Sequence, residues 1–409
     1  MAFWLIAAVL GLLLFGAGAP APLYGVYRAQ WRFSATTLTA VFAIYALVVL
    51  VALLVFGSVS DGLGRRGTII AGLMANAVAC GAFLAAEGVG ALFVARAVQG
   101  LAVGLGTSAV GAALLDLQPE GRELAPLVST SATPLGLGAG ALVTSALVEY
   151  GPARTHLVWW LLLGATLAAI VAVLRTPESG SERRGVLASL RPHVGVPRDA
   201  RGAFAVALPC LVAVAALSGF YLSLGPSLAA QVLHSRNLLW GGVTVALLFG
   251  VSVPVMLTVR NSSLSNVMLG GNVALLAGAA ITFVGIATRT SAVLLAGTAV
   301  AGLGWGPAFL GAYGTIVALA HPDQRAGLVA AIYTVFFLAF SVPALIAGVA
   351  TSHYGLHNTA LVYLAVVGML AASAAASSLL RRAHAPRGHQ PSVPGVAPSP
   401  ASSTTPSQP

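Results

Sequence analysis

Hydrophobic positions along this chain come in long runs parted by short polar breaks. A run of roughly 20 mostly apolar residues spans the hydrocarbon of a bilayer as a helix, because a helix satisfies its own backbone hydrogen bonds where water is absent. By that measure the sequence predicts twelve membrane helices, at about 3–25, 36–58, 67–87, 90–115, 126–149, 154–174, 202–228, 237–259, 264–287, 291–319, 326–350 and 358–380. The expected fold class is an all-α integral membrane protein.

Two of the polar breaks are longer than a turn. Residues 175–201, RTPESGSERRGVLASLRPHVGVPRDAR, separate the first six segments from the last six, and from residue 383 Pro, Ser and Thr dominate. The expected organisation is a six-helix bundle at 1–174, a linker at 175–201, a second bundle at 202–382 and a disordered tail at 383–409, whose composition cannot build a core. If the two bundles are repeats, local features recur at a fixed offset. Pro119-Glu120-Gly121-Arg122 precedes the fifth segment and Pro322-Asp323-Gln324-Arg325 the eleventh, 203 residues on (322 − 119). Tyr150-Gly151 and Tyr354-Gly355 end the same two segments at an offset of 204. Ala97-Val98-Gln99-Gly100-Leu101 with Gly104 matches Ala299-Val300-Ala301-Gly302-Leu303 with Gly306 at an offset of 202. The three matches keep their order.

Composition agrees with the pattern. The chain is 58% hydrophobic and 7% charged, against about 25% charged in soluble domains. Its twenty basic residues are all arginine, and their placement orients the chain. Breaks on the side of the tail hold fourteen, among them Arg65, Arg66, Arg175 and Arg260; the other side holds five, Arg28, Arg32, Arg154, Arg236 and Arg289. The positive-inside rule then puts both termini in the cytoplasm. The net charge of +10 follows from that topology, so no nucleic-acid partner is implied. A cleaved signal peptide is the competing reading of the first segment, but no basic residue precedes its apolar run, and a retained helix is expected.

Cys80 and Cys210 lie in apolar segments and the eight histidines lack metal-ligand spacing, so neither a disulfide nor a metal site nor a cofactor is expected. Against this apolar background the break GSVSDGLGRRGT (57–68) packs Asp61, Arg65 and Arg66 into six residues. Glycine allows the tight turn. The aspartate can meet both a guanidinium and the positive N-terminus of a helix.

Gly57, Val59, Asp61, Gly62, Gly64, Arg65 and Arg66 follow the loop signature Gly-x-Leu-x-Asp-Arg-x-Gly-Arg-Arg, with Val59 for Leu and Gly62 for the first Arg. With twelve segments in two sets of six, this resembles the major facilitator superfamily of secondary transporters. The resemblance covers about residues 3–382. It implies a latch between the halves, made by Asp61, Arg65 and Arg66; a plain positive-inside anchor is the alternative. A second signature, Arg-x-x-Gln-Gly, is met by Arg96, Gln99 and Gly100 in the fourth segment. Arg96 is the one arginine inside a span, a costly position unless it faces a cavity or a polar partner. It is read either as a cavity charge, taking part in substrate contact or proton coupling, or as a structural arginine bonded to carbonyls of the first helix near Pro20 and Pro22. Glycines one turn apart, Gly100 with Gly104 and Gly302 with Gly306, suit close helix packing. Exporters of the superfamily carry a glycine-rich run ending Gly-Pro-x-x-Gly-Gly in the fifth helix. Here Gly136, Gly138 and Gly140 keep the run, while Ala141, Thr144 and Ser145 replace the proline and the final pair.

No Asp, Glu or His is expected deep in a segment, which argues against strong selection for cations and leaves proton coupling as an implication of the resemblance. A substrate site near the midplane between the halves draws on Tyr45, Gln99, Thr107, Phe220, Tyr221, Trp305, Tyr313, Tyr333 and Phe337. Aromatic walls with few polar groups suit an amphipathic organic molecule. The expected function is proton-coupled efflux of such compounds by alternating access, through a monomer in a bacterial cytoplasmic membrane. An importer of a small neutral or anionic nutrient is the nearest alternative. An intramembrane enzyme, which would need convergent catalytic groups at depth, and a non-transporting sensor are remote ones.

Overall fold

A computed structural model of the chain describes residues 1–56, 64–119, 124–176, 178, 194–319, 321 and 324–384. Among these residues every regular element is helical: α1 (Ala2–Gly18), α2 (Pro20–Trp31), α3 (Ala35–Phe56), α4 (Arg65–Leu84), α5 (Val89–Leu117), α6 (Leu124–Tyr150) and α7 (Leu157–Leu174). After a short 3-10 turn at Arg198–Ala200 come α8 (Arg201–Ser223), α9 (Gly225–Val232), α10 (Leu239–Val259), α11 (Leu264–Ala287), α12 (Ser291–Val317) and α13 (Arg325–His384). Among the described residues eleven stretches are long and apolar enough to cross a membrane. The last, α13, is interrupted at Gly355, whose φ of 80° and ψ of 159° lie outside helical geometry and in a region that glycine tolerates best.

The expected segments recur as helices, with two differences. The first runs on to Trp31 as α1 and α2, joined through Ala19. Pro20 and Pro22 have no N–H to give to the carbonyls four residues earlier, so Gly16 and Gly18 lose their helical partners at this joint. The seventh segment likewise continues past Leu224 as the short α9, with Pro226 in its first turn. The tail is expected from 383, but the last helix runs on to His384; the rest of the tail, 385–409, lies outside the described residues.

Small residues set the helix spacing. Gly271, Gly278 and Gly285 repeat every seven residues along α11, and a side chain at any of them would run into the backbone of Ala308, Ala301 or Leu294 on α12. Two antiparallel helices thus meet backbone to backbone over four turns, the kind of contact that drives association where lipid removes the hydrophobic term. The repeat seen in the sequence has a spatial counterpart. Gly100 on α5 lies against the Tyr45 carbonyl and Val48 of α3, while Gly302 on α12 lies against the carbonyls of Leu247 and Leu248 on α10.

Candidate functional site

Three groups of predicted residues can be placed, the first at the start of α4. Gly64 has φ 84°, again favouring glycine, and stands at the cap position of α4, where the first N–H groups, those of Arg65 and Arg66, lack helical acceptors. Both are taken by Glu178, whose Oε1 accepts from Arg65 N at 2.8 Å and from Arg66 N at 3.2 Å. A carboxylate at a helix N-terminus meets unpaired donors and the positive end of the helix dipole. The Arg65 Nε donates to Asp116 Oδ2 at 3.2 Å, which ties the start of α4 to the end of α5. Gly57 and Asp61 lie outside the described residues. Glu178 and Asp116 were not singled out from sequence, since nothing in a linker acid predicts which helix it will cap.

The second group surrounds the joint between α1 and α2. Arg96 is 1% exposed, and its Nη1 donates to Gln99 Oε1 at 2.5 Å and to the Ala17 carbonyl at 3.5 Å. The guanidinium carbon stands 4.1 Å from the centre of the Tyr45 ring and 5.8 Å from that of Tyr24. Gln99 Nε2 donates to the Gly16 carbonyl at 2.8 Å, the group that Pro20 leaves unpaired. The Arg-x-x-Gln pair therefore closes the broken backbone of the first helix, with Gln99 bonded to Arg96 and to α1 at once. The Tyr45 face supplies electron density to a cation for which no carboxylate partner is found among the described residues. Arg96 Nε and the Tyr24 hydroxyl are buried with no hydrogen-bond partner there. Gly100 serves the packing of α5 on α3 described above.

The third group is a wall of rings. Trp305, Phe309 and Tyr313 follow one another at four-residue steps along α12, with centroids 6.3 and 5.9 Å apart. Phe309 meets Phe336 of α13 edge-on at 5.4 Å, and Phe336 continues to Phe337 and Phe340. Tyr333 joins through Phe337, Phe249 of α10 through Trp305, and Phe42 of α3 through Phe340 at 4.8 Å. Phe309, Tyr313, Tyr333, Phe336 and Phe337 are half-buried. The wall has few fixed polar groups: the Trp305 indole donates to Ser218 Oγ at 2.7 Å. Sequence reasoning named Trp305, Tyr313, Tyr333 and Phe337 and missed Phe42, Phe249, Phe309, Phe336 and Phe340. The four-residue spacing on α12 was the available signal.

Other candidates fall elsewhere. Phe220 stacks on Tyr363 at 5.0 Å and the Tyr221 hydroxyl bonds Thr298 at 2.8 Å, both fully inside the packing of α8. Thr107 is half-buried and donates to its own helix, at the Val103 carbonyl. A groove of about 380 Å³ between α1, α6 and α7 is lined only by apolar residues, Phe15, Leu147 and Leu161 among them, so it offers no polar side chain to orient a solute. Among the described residues no three His, Cys, Asp or Glu side chains gather as metal ligands would.

Residues 4–262 match the sequence profile described as Major Facilitator Superfamily. The fold is similar to crystal structures of the nucleoside transporter NupG. A point mutant of that protein superposes with TM-score 0.72 at 13% identity, and another structure of it with 0.68 at 14%; each match covers 92% of this chain and 99% of the other. At such identities the likeness is one of fold. No protein of the curated set matches the chain.

Proposed function

Because the chain belongs to the Major Facilitator Superfamily, with a family match over 259 residues from 4 to 262, we propose that it is a secondary active transporter. It moves small amphipathic organic molecules by alternating access, as proton-coupled efflux. α13 counts as two crossings, one on each side of Gly355, which brings the total to twelve. The arginine distribution supports a topology with both termini in the cytoplasm, in a bacterial cell membrane. The bundles 1–174 and 202–382 are the moving bodies, joined by 175–201, and the transporter acts as a monomer. Asp61, Arg65 and Arg66 form the latch at the cytoplasmic face, to which Glu178 and Asp116 add their carboxylates.

The observation that carries this reading is the ring wall. A continuous run of rings, buried at Phe42, Phe249, Trp305 and Phe340 and half-buried at five positions on α12 and α13, with few fixed polar groups, supports a binding surface for a planar or amphipathic solute held by stacking and apolar contact. A remote carboxylate for a cationic solute has no candidate at depth, since all ten acidic residues fall outside the apolar cores of the helices. Uptake of a neutral or anionic nutrient is the second reading. It is favoured by the loss of the exporter pattern at Ala141, Thr144 and Ser145.

Accumulation of fluorescent aromatic amphipaths in cells separates the two. Wild-type protein is expected to lower accumulation relative to an empty vector, and a protonophore or Asp61→Asn at equal expression is expected to abolish the difference. Matching accumulation in all strains removes the support for efflux, and a rise with wild type points to uptake.

A further inference from the structure

Contacts between residues before 176 and residues after 194 gather toward one face of the molecule. That face is where α3 begins, α6 ends, α10 begins and α13 is interrupted at Gly355. Two seams meet there. In the first, Glu149 and Tyr150 at the end of α6 reach the start of α10. Glu149 Oε2 accepts from the backbone N–H of Leu238 at 3.1 Å, and the Tyr150 hydroxyl accepts from Asn237 Nδ2 at 3.0 Å. Asn237 Oδ1 in turn accepts from Leu239 N at 2.8 Å. Leu238 is the residue at the cap position of α10, and its apolar side chain cannot satisfy the free donors of a first turn. Glu149 supplies what the local sequence lacks, from a helix 89 residues earlier in the chain. Deeper in this seam, Gly242 leaves no room for a side chain: a Cβ would come within 2.6 Å of the Ala141 carbonyl and overlap Ser145 Oγ.

The second seam joins α3 to α13. Thr36 Oγ1 donates to the Gly348 carbonyl at 3.3 Å and lies 3.1 Å from Ser352 Oγ. A Cβ on Gly348 would overlap the Thr39 hydroxyl. Further in, Phe42 and Phe340 bring the seam to the ring wall. The half-buried rings Tyr313 and Tyr333 sit toward the opposite face, near the end of α12 and the start of α13.

We propose that these seams are the gate on the face away from the termini, closed in this structure, and that the Glu149 carboxylate on the α10 N-terminus is the contact that must break before the ring wall is reached from that face. The proposal rests on the alternating-access reading above. Apolar contact and the two glycines permit closure, but they favour no single register along the seam. The carboxylate on the Leu238 N–H, with Tyr150 on Asn237 beside it, fixes that register and stabilises the closed state by a cap and dipole interaction. Opening toward that face separates Glu149 from Leu238 and hydrates both. The acid is thus a positioning residue for the transport cycle rather than a contact for the solute.

The test uses full-length protein in nanodiscs with spin labels at Arg154→Cys and Arg236→Cys, both exposed on this face. Wild type should show a short distance with a minor longer population. Glu149→Ala should raise the longer population about 2- to 30-fold, the range that loss of a helix cap implies, and Glu149→Asp should restore part of the wild-type pattern. An unchanged distribution in Glu149→Ala, with both distances present in wild type, overturns the gate and leaves alternating access standing. A single fixed distance in every variant overturns both. As an independent check, Tyr150→Cys with Asn237→Cys should stop transport when oxidised and recover it on reduction; transport by the fully cross-linked protein contradicts the proposal.

Discussion

At Arg96 a permanent cation sits inside a helix of the membrane domain, and its neighbours account for it. Tyr45 offers its ring face, Gln99 bonds the guanidinium, and Gln99 also closes the Gly16 carbonyl that Pro20 leaves open. Gln99→Leu removes both bonds at once, leaving the Gly16 carbonyl buried without its donor and Arg96 with only the long bond to Ala17 and the tyrosine faces. It is expected to destabilise the protein by about 1–3 kcal/mol, read as a lower unfolding temperature in detergent, while Gln99→Glu retains an acceptor for Arg96 and loses only the donor to Gly16. Equal unfolding temperatures for wild type and Gln99→Leu would contradict this account. The sequence signalled the pairing through the spacing of Arg96 and Gln99 and the prolines 76 and 74 residues earlier (96 − 20 and 96 − 22). It did not separate Tyr45, under a guanidinium, or Tyr221, bonded to Thr298, from Tyr313 and Tyr333 on the ring wall. In helices that are apolar all round, the face toward lipid and the face toward protein read alike, so depth was legible and direction was not.

At the scale of the element, the membrane-length stretches were legible because length alone decides a crossing, and eleven of them stand among the described residues. Their pairing is written in small residues. Along α11 the glycines at 271, 278 and 285 meet α12, and a larger side chain at the middle one has no space to enter. Gly278→Val should separate the two helices, with the 1–3 kcal/mol cost typical of overpacking or more, and thermal unfolding or cross-linking between α11 and α12 would register it. Gly270→Val, where a Cβ meets nothing within 4 Å, is the matched control and should be near neutral. The joint at Ala19 and the extension to Trp31 were only half visible: the prolines marked a break, but the chain continues helically because Ala19 keeps helical angles (φ −56°, ψ −36°). Glu149 escaped notice for the opposite reason. An acid at a helix end is ordinary in sequence, and only the fold shows that it caps α10.

At the scale of the molecule, charge and packing divide the work. Arginines gather on one side of the apolar runs, the small residues hold helices together, and the contacts toward one face leave the ring wall half-buried toward the other. Transport follows if those contacts and the Arg65 cluster exchange roles as the molecule rocks, which is a statement about flux. Counterflow in proteoliposomes tests it most directly: vesicles loaded with an unlabelled aromatic amphipath and diluted into the labelled compound. Saturable, competable accumulation that is lost in the oxidised Tyr150→Cys, Asn237→Cys protein is the expected result. Flux that rises linearly with concentration, or vesicles indistinguishable from protein-free ones, would contradict an alternating-access transporter.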